Sequence, residues 1–147
     1  MNKACCFAEC LKEIMIERDI SAVGLARIAA VSASRVYAYL DGSNLPSAAN
    51  AVKIADALEC SLDFLFGLSG DSARRIYAPA KYCAERVRDA VSSCALSRYA
   101  VSKLTGISQT QLYRICKCRQ TPNMYALTAL AECLRISLDY LTGRDAL

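Results

Sequence analysis

The side chains that could do chemistry in this chain are nine cysteines and a polar stretch from Gln109 to Arg114; there is no histidine. The cysteine count is odd, and Cys60, Cys83, Cys94 and Cys133 fall inside helical apolar patterns, where a free thiol acts as a small hydrophobe. Cys5, Cys6 and Cys10 cluster, and Cys116 and Cys118 flank Lys117, but neither group supplies the two Cys-x2–4-Cys pairs of a structural zinc site. No metal and no cofactor are therefore expected. With no paired carboxylates, no glycine-rich phosphate loop and no nucleophile beside a base, an enzyme is not expected either. The stretch Gln109-Thr110-Gln111-Leu112-Tyr113-Arg114 offers other chemistry. Glutamine can bond adenine bidentately, arginine can do the same to guanine, and threonine can present its hydroxyl or methyl to a base edge.

The elements that must position this stretch occur twice. A shift of 76 residues lays Ser21–Gly67 over Ser97–Gly143 without a gap, and 11 of the 47 pairs are identical, among them Ser32/Ser108, Tyr37/Tyr113, Pro46/Pro122 and Asp63/Asp139. Such a match points to duplication of one small folded unit, with a first domain over 1–68, a linker over 69–79 and a second domain over 80–147. Apolar periodicity and capping residues predict helices over Ala4–Arg18, Ala22–Ala29, Ala33–Leu40 and Ala48–Leu58, then a short one after Ser61 that ends at Gly67. The second copy predicts Ala80–Cys94, Arg98–Thr105, Gln109–Cys116, Met124–Leu134 and Leu138–Thr142. Leu25, Ile28, Val36 and Tyr39 are expected to point inward, as are Val101, Leu104, Leu112 and Ile115. Strand-like alternation is absent, so the expected class is all-α.

Charge separates the copies. Residues 1–73 carry six Lys/Arg and nine Asp/Glu, a net of −3, whereas residues 74–147 carry twelve and five, a net of +7. A basic half suits a polyanionic partner. The chain has no apolar run of about 18 residues and no secretory pattern at its N-terminus, which predicts a cytoplasmic protein without a membrane partner.

Two short helices joined by a tight turn, the second opened by a capping serine, form a helix-turn-helix. In Leu104-Thr105-Gly106-Ile107-Ser108-Gln109-Thr110-Gln111-Leu112-Tyr113-Arg114-Ile115 and in Ile136-Ser137-Leu138-Asp139-Tyr140-Leu141 the chain resembles the Cro/CI-type (XRE) family of helix-turn-helix DNA-binding domains. The first copy repeats the skeleton in Leu25-Ala26, Val31-Ser32, Val36, Leu45-Pro46 and Ser61-Leu62-Asp63-Phe64-Leu65. It departs from the family by placing Ala30 where a turn glycine is usual. The second copy places Cys118 where a glycine usually follows the recognition helix.

The resemblance implies two tandem five-helix, lambda-repressor-like domains whose third helix enters the major groove of double-stranded DNA. Carried onto the second copy, it makes Gln109, Thr110 and Arg114 base-reading positions with Gln111 and Tyr113 alongside. It makes Arg98 a backbone or base contact, and Lys103, Lys117, Arg119 and Gln120 lie near enough to meet phosphates. The matching first-copy positions are Ala22, Ala33, Ser34 and Ala38, so only weaker contacts through Arg27, Ser34, Arg35 and Tyr37 are expected there. The combined expectation is a small transcriptional regulator, a repressor acting as a homodimer, that reads DNA with its second domain. Its first domain would serve packing, dimerisation or a protein partner. A protein-interaction scaffold that kept the fold without binding DNA is the alternative.

Overall fold

The computed structural model describes residues 2–147, which form ten helices: α1 (Lys3–Arg18), α2 (Ala22–Ala29), α3 (Ala33–Leu40), α4 (Ala48–Leu58), α5 (Leu62–Leu65), α6 (Cys83–Ser93), α7 (Arg98–Thr105), α8 (Gln109–Cys116), α9 (Met124–Leu134) and α10 (Leu138–Leu141). They divide into two compact units. One runs to Ala78 and takes in Ala146–Leu147; the other is Pro79–Asp145. The class is all-α. An antiparallel bridge between Tyr77 and Ala146 is the sole β-type pairing among the described residues.

In the first unit, α1 to α5 close over Phe7, Leu11, Ile14, Leu25, Ile54, Leu58, Leu62 and Leu65, all fully buried. Phe7 stacks edge-on to Tyr39 at 6.0 Å and lies 4.8 Å from Phe66. Arg18 ties the end of α1 down: its Nε donates to the Leu58 carbonyl at 3.0 Å and its guanidinium to the Ser72 carbonyl at 2.7 Å. The first of these satisfies a carbonyl left open at the C-terminus of α4.

The second unit repeats the arrangement over Val87, Val101, Leu112, Ile115, Met124, Leu127, Leu130, Leu138 and Leu141. It adds an internal ion pair, Arg144 to Asp139, with both residues buried. Its first helix begins three residues later than the expected Ala80. Lys81 N–H donates to the Gly143 carbonyl at 3.2 Å, and Tyr82 takes the left-handed conformation at φ 65°, so the chain turns before α6 starts. Gly143 permits that approach, since a Cβ there would stand 2.0 Å from the Lys81 carbonyl oxygen.

One pair of core expectations is corrected in both units. Ile28 is 61% exposed and Leu104 68% exposed, although both fit a helical apolar stripe in the sequence. In α2 the buried stripe is Leu25, Ala26 and Ala29. At 100° per residue its centre lies about 100° from Ile28, which therefore faces solvent. Leu104 holds the same place relative to Val101, the buried residue of α7.

Candidate nucleic-acid interface

The helix-turn-helix of the second unit is fixed by local bonds. The α7 helix ends at Gly106, in the left-handed conformation at φ 76°, whose N–H returns to the Ser102 carbonyl. Ser102 Oγ donates to the Ile107 carbonyl at 2.6 Å and Thr105 Oγ1 to the Val101 carbonyl at 2.7 Å, while Ile107 is buried. Ser108 then caps α8, its hydroxyl accepting from Gln111 N–H at 3.1 Å. The turn is thus tied to both helices, and the start of α8 is held in a defined direction.

On α8 the buried residues are Leu112, Ile115 and Cys116. Gln109, Thr110, Tyr113, Arg114 and Lys117 are all exposed. Their spacings of one, three and four residues join them into one continuous face. Two tyrosine–lysine stacks frame it. Lys117 Nζ lies 5.6 Å from the centre of the Tyr113 ring, and Lys103 Nζ lies 5.4 Å from that of Tyr99. Arg98 is exposed at the first position of α7, and its charge reaches the buried Cys116 thiol at the end of α8. Burial pushes that thiol above its usual value, and the Arg98 charge acts in the opposite direction. Arg119 is exposed and its N–H bonds the Arg114 carbonyl at 2.9 Å, so the chain leaving α8 stays beside the helix. Gln120 and Gln111 are half-buried. Gln111 lines a cleft of about 180 Å³ with Thr105, Asn123 and Tyr125.

Residue typing of the sequence overlooked Tyr99 and Tyr125, which are 57% and 51% exposed on this side of the unit's helices. For Tyr99 the signal was available in its four-residue spacing to Lys103, the reach of a side-chain pair on a helix.

In the first unit the same backbone carries other side chains. Ala30 takes the left-handed turn position at φ 57°, and Ser32 caps α3 by accepting from Arg35 N–H at 3.3 Å. Ala22, Ala33 and Ala38 occupy the places of Arg98, Gln109 and Arg114. Arg27, Ser34, Arg35 and Tyr37 are exposed, and Ser34 Oγ lies 3.4 Å from Ser32 Oγ. Asp41 stands where the second unit has Lys117. The Ser43 hydroxyl and Ser43 N–H both donate to its carboxylate, which holds it below the usual carboxylate range and therefore charged at neutral pH. A carboxylate at that place repels phosphate where a lysine would attract it.

All nine cysteines are free thiols, and the described residues contain no group of three or more metal-ligating side chains able to hold an ion. No helix among them is long and apolar enough to cross a membrane.

Comparison with known proteins agrees with this geometry. No curated protein and no solved structure matches the chain. The model of the family described as Helix-turn-helix (HTH_3) matches residues 11–65 and again residues 93–141, which together make up more than two thirds of the sequence. Each match spans one of the two capped turns. The chain belongs to the helix-turn-helix family, of XRE type, with two such regions in tandem.

Proposed function

We propose that this protein is a sequence-specific transcriptional regulator that binds double-stranded DNA through its second unit. Helix-turn-helix architecture of this kind supports a DNA-binding regulatory role in general and is a non-catalytic fold class. The contrast between the two matching faces carries the finer reading. Gln109, Thr110 and Arg114 project from α8 with hydrogen-bonding chemistry suited to the major groove, and the first unit replaces two of the three by alanine.

In this reading α8 lies in the groove as the recognition helix of a lambda-repressor-like domain. Gln109, Thr110 and Arg114 meet base edges, with Gln111 and Tyr113 beside them. Arg98, Lys103, Lys117, Arg119 and Gln120 meet phosphates. The protein acts in the cytoplasm as a homodimer that places two copies of α8 on a palindromic site and represses transcription by occupying it. The first unit packs, dimerises or takes a protein partner, with Arg27, Ser34, Arg35 and Tyr37 as weaker DNA contacts. Its exposed Val23, Ile28 and Tyr37, set among alanines, favour protein over phosphate.

Fluorescence anisotropy on a randomised duplex pool across a salt series tests the proposal. Four phosphate-facing cations per reader predict a slope of log K against log salt of about −3.6, or about −7 for a dimer with two readers. A slope near zero, or no binding at roughly 50 mM salt, contradicts it and favours the scaffold alternative.

A further inference from the structure

The first unit carries an open apolar groove of about 510 Å³ between α1 and the end of α3. Its α1 side is the stripe Lys12, Met15, Ile16 and Asp19, spaced i, i+3, i+4 and i+7, and Ile20 and Leu40 complete the lining. Ile16 is 81% exposed, more than any other large apolar side chain on α1 to α5, so its own fold leaves it uncovered. The charge around the groove is acidic. Glu9, Glu13 and Glu17 form an exposed row beside the stripe, and Asp19 ends it. Arg18 offsets only Glu17, at 3.3 Å, because its guanidinium is otherwise turned in to the Leu58 and Ser72 carbonyls. Lys12, the exposed cation of the stripe, lies in the field of the Asp41 carboxylate. The second unit places Ser92 and Cys116 where the first has Ile16 and Leu40, and Ser93, Ala95 and Lys117 where it has Glu17, Asp19 and Asp41. The duplicated scaffold therefore requires neither the apolar lining nor the acidic rim.

We propose that this groove docks a cationic amphipathic helix of a partner protein, with the helix's apolar face on Met15, Ile16, Ile20 and Leu40 and its Lys/Arg flank against Glu13, Glu17 and Asp19. The inference rests on the protein-partner role of the first unit and not on DNA binding by the second. An apolar stripe laid into an apolar groove is a recurring way for a helix to be recognised, read as anchors at i, i+3, i+4 and i+7. Burial of Ile16 supplies affinity, and the unbranched side chain of Met15 adapts to the anchors it meets. Exposed ion pairs at the rim add little energy each, but a rim of one sign selects a partner of the other and rejects like charge. A second copy of the first unit would bring the row Glu9, Glu13 and Glu17 against its own kind, so the acidic rim favours a basic partner over self-pairing.

The test is fluorescence anisotropy of a labelled model peptide with the full chain, in the absence of DNA. The peptide is a helix of about four turns with leucines at i, i+3, i+4 and i+7 and lysines flanking them; its control carries glutamates in place of the lysines. Wild type binds the lysine peptide and holds the glutamate peptide at least about tenfold more weakly. Ile16→Ser, at an exposed position that the fold does not need, lowers affinity for the lysine peptide about tenfold or more. Glu13→Gln/Asp19→Asn lowers it about twofold or more and flattens its salt dependence. Ile28→Ser, which removes an exposed apolar side chain outside the groove, leaves it unchanged. Sedimentation of the chain alone gives the same association state for wild type and Ile16→Ser. No binding of the lysine peptide, equal binding of both peptides, or equal losses from Ile16→Ser and Ile28→Ser would overturn the site. Dissociation of a dimer by Ile16→Ser would overturn it too, since the occupant would then be a second copy of this chain. Each of these failures leaves DNA binding by the second unit untouched.

Discussion

Lys117 Nζ sits 5.6 Å from the centre of the Tyr113 ring, and the first unit has Asp41 in place of that lysine beside the matching Tyr37. One scaffold thus carries opposite charges at the same corner of its helix-turn-helix. Lys117→Asp should weaken DNA binding about tenfold or more and flatten the salt slope by about one per reader, or about two for a dimer, since each reader loses one phosphate contact. Asp41→Lys should leave binding within about twofold, because the alanine face of α3 still lacks base-reading groups. Anisotropy at two salt concentrations checks both.

The buried Arg144–Asp139 pair is particular to the second unit, where the first has Leu68 and the half-buried Asp63. Removing one partner strands a charge in the core. Asp139→Ala or Arg144→Leu should therefore destabilise the second unit by about 3–5 kcal/mol. Urea unfolding followed by circular dichroism measures the loss, and the same experiment on Asp63→Ala should show a much smaller one.

Ala30 and Cys118 hold left-handed backbone at φ 57° and 56°, a conformation that costs a residue with a Cβ about 1–2 kcal/mol. Glycine removes that strain and gives part of the gain back as unfolded-chain entropy. Ala30→Gly and Cys118→Gly should each stabilise by about 0.5–1 kcal/mol, read as a rise in the denaturation midpoint without a change in slope.

Ile28 and Leu104 face solvent, so Ile28→Ser and Leu104→Ser should change stability by less than about 0.5 kcal/mol. Leu25→Ala, from the fully buried side of the same helix, should cost about 2–5 kcal/mol. A large loss at Leu104 would show that this side chain is covered in solution.

What could be read from the sequence was mostly local. Ser21, Ser32, Ser61 and Asn123 cap helices as their type and position indicate, each accepting from the N–H three residues on. Six of the ten helices keep the bounds that periodicity assigns, because cap and stripe lie within a few residues of each other. The inward placing of Ile28 and Leu104 failed, since an eight-residue helix leaves the direction of its stripe to whatever packs against it. The late start of α6 depends on a backbone bond to Gly143, and the Arg144–Asp139 pair on chain folded around a turn; apolar period encodes neither. Of the candidate interface, the polar residues of α8 were legible by type. Their separation from the buried Leu112, Ile115 and Cys116 needed the structure, as did the exposure of Tyr125 beside the Gln111 cleft.

In the proposed function the second unit reads DNA and the first does not. The most direct measurement is anisotropy on a duplex selected from the randomised pool, comparing wild type with Gln109→Ala/Arg114→Ala and with the matching first-unit change Ser34→Ala/Tyr37→Ala. The second-unit pair should cost about 2–6 kcal/mol of binding per reader, two base contacts at about 1–3 each, and the first-unit pair less than about 0.5. Equal losses in both proteins, or a larger loss from the first-unit pair, would contradict it.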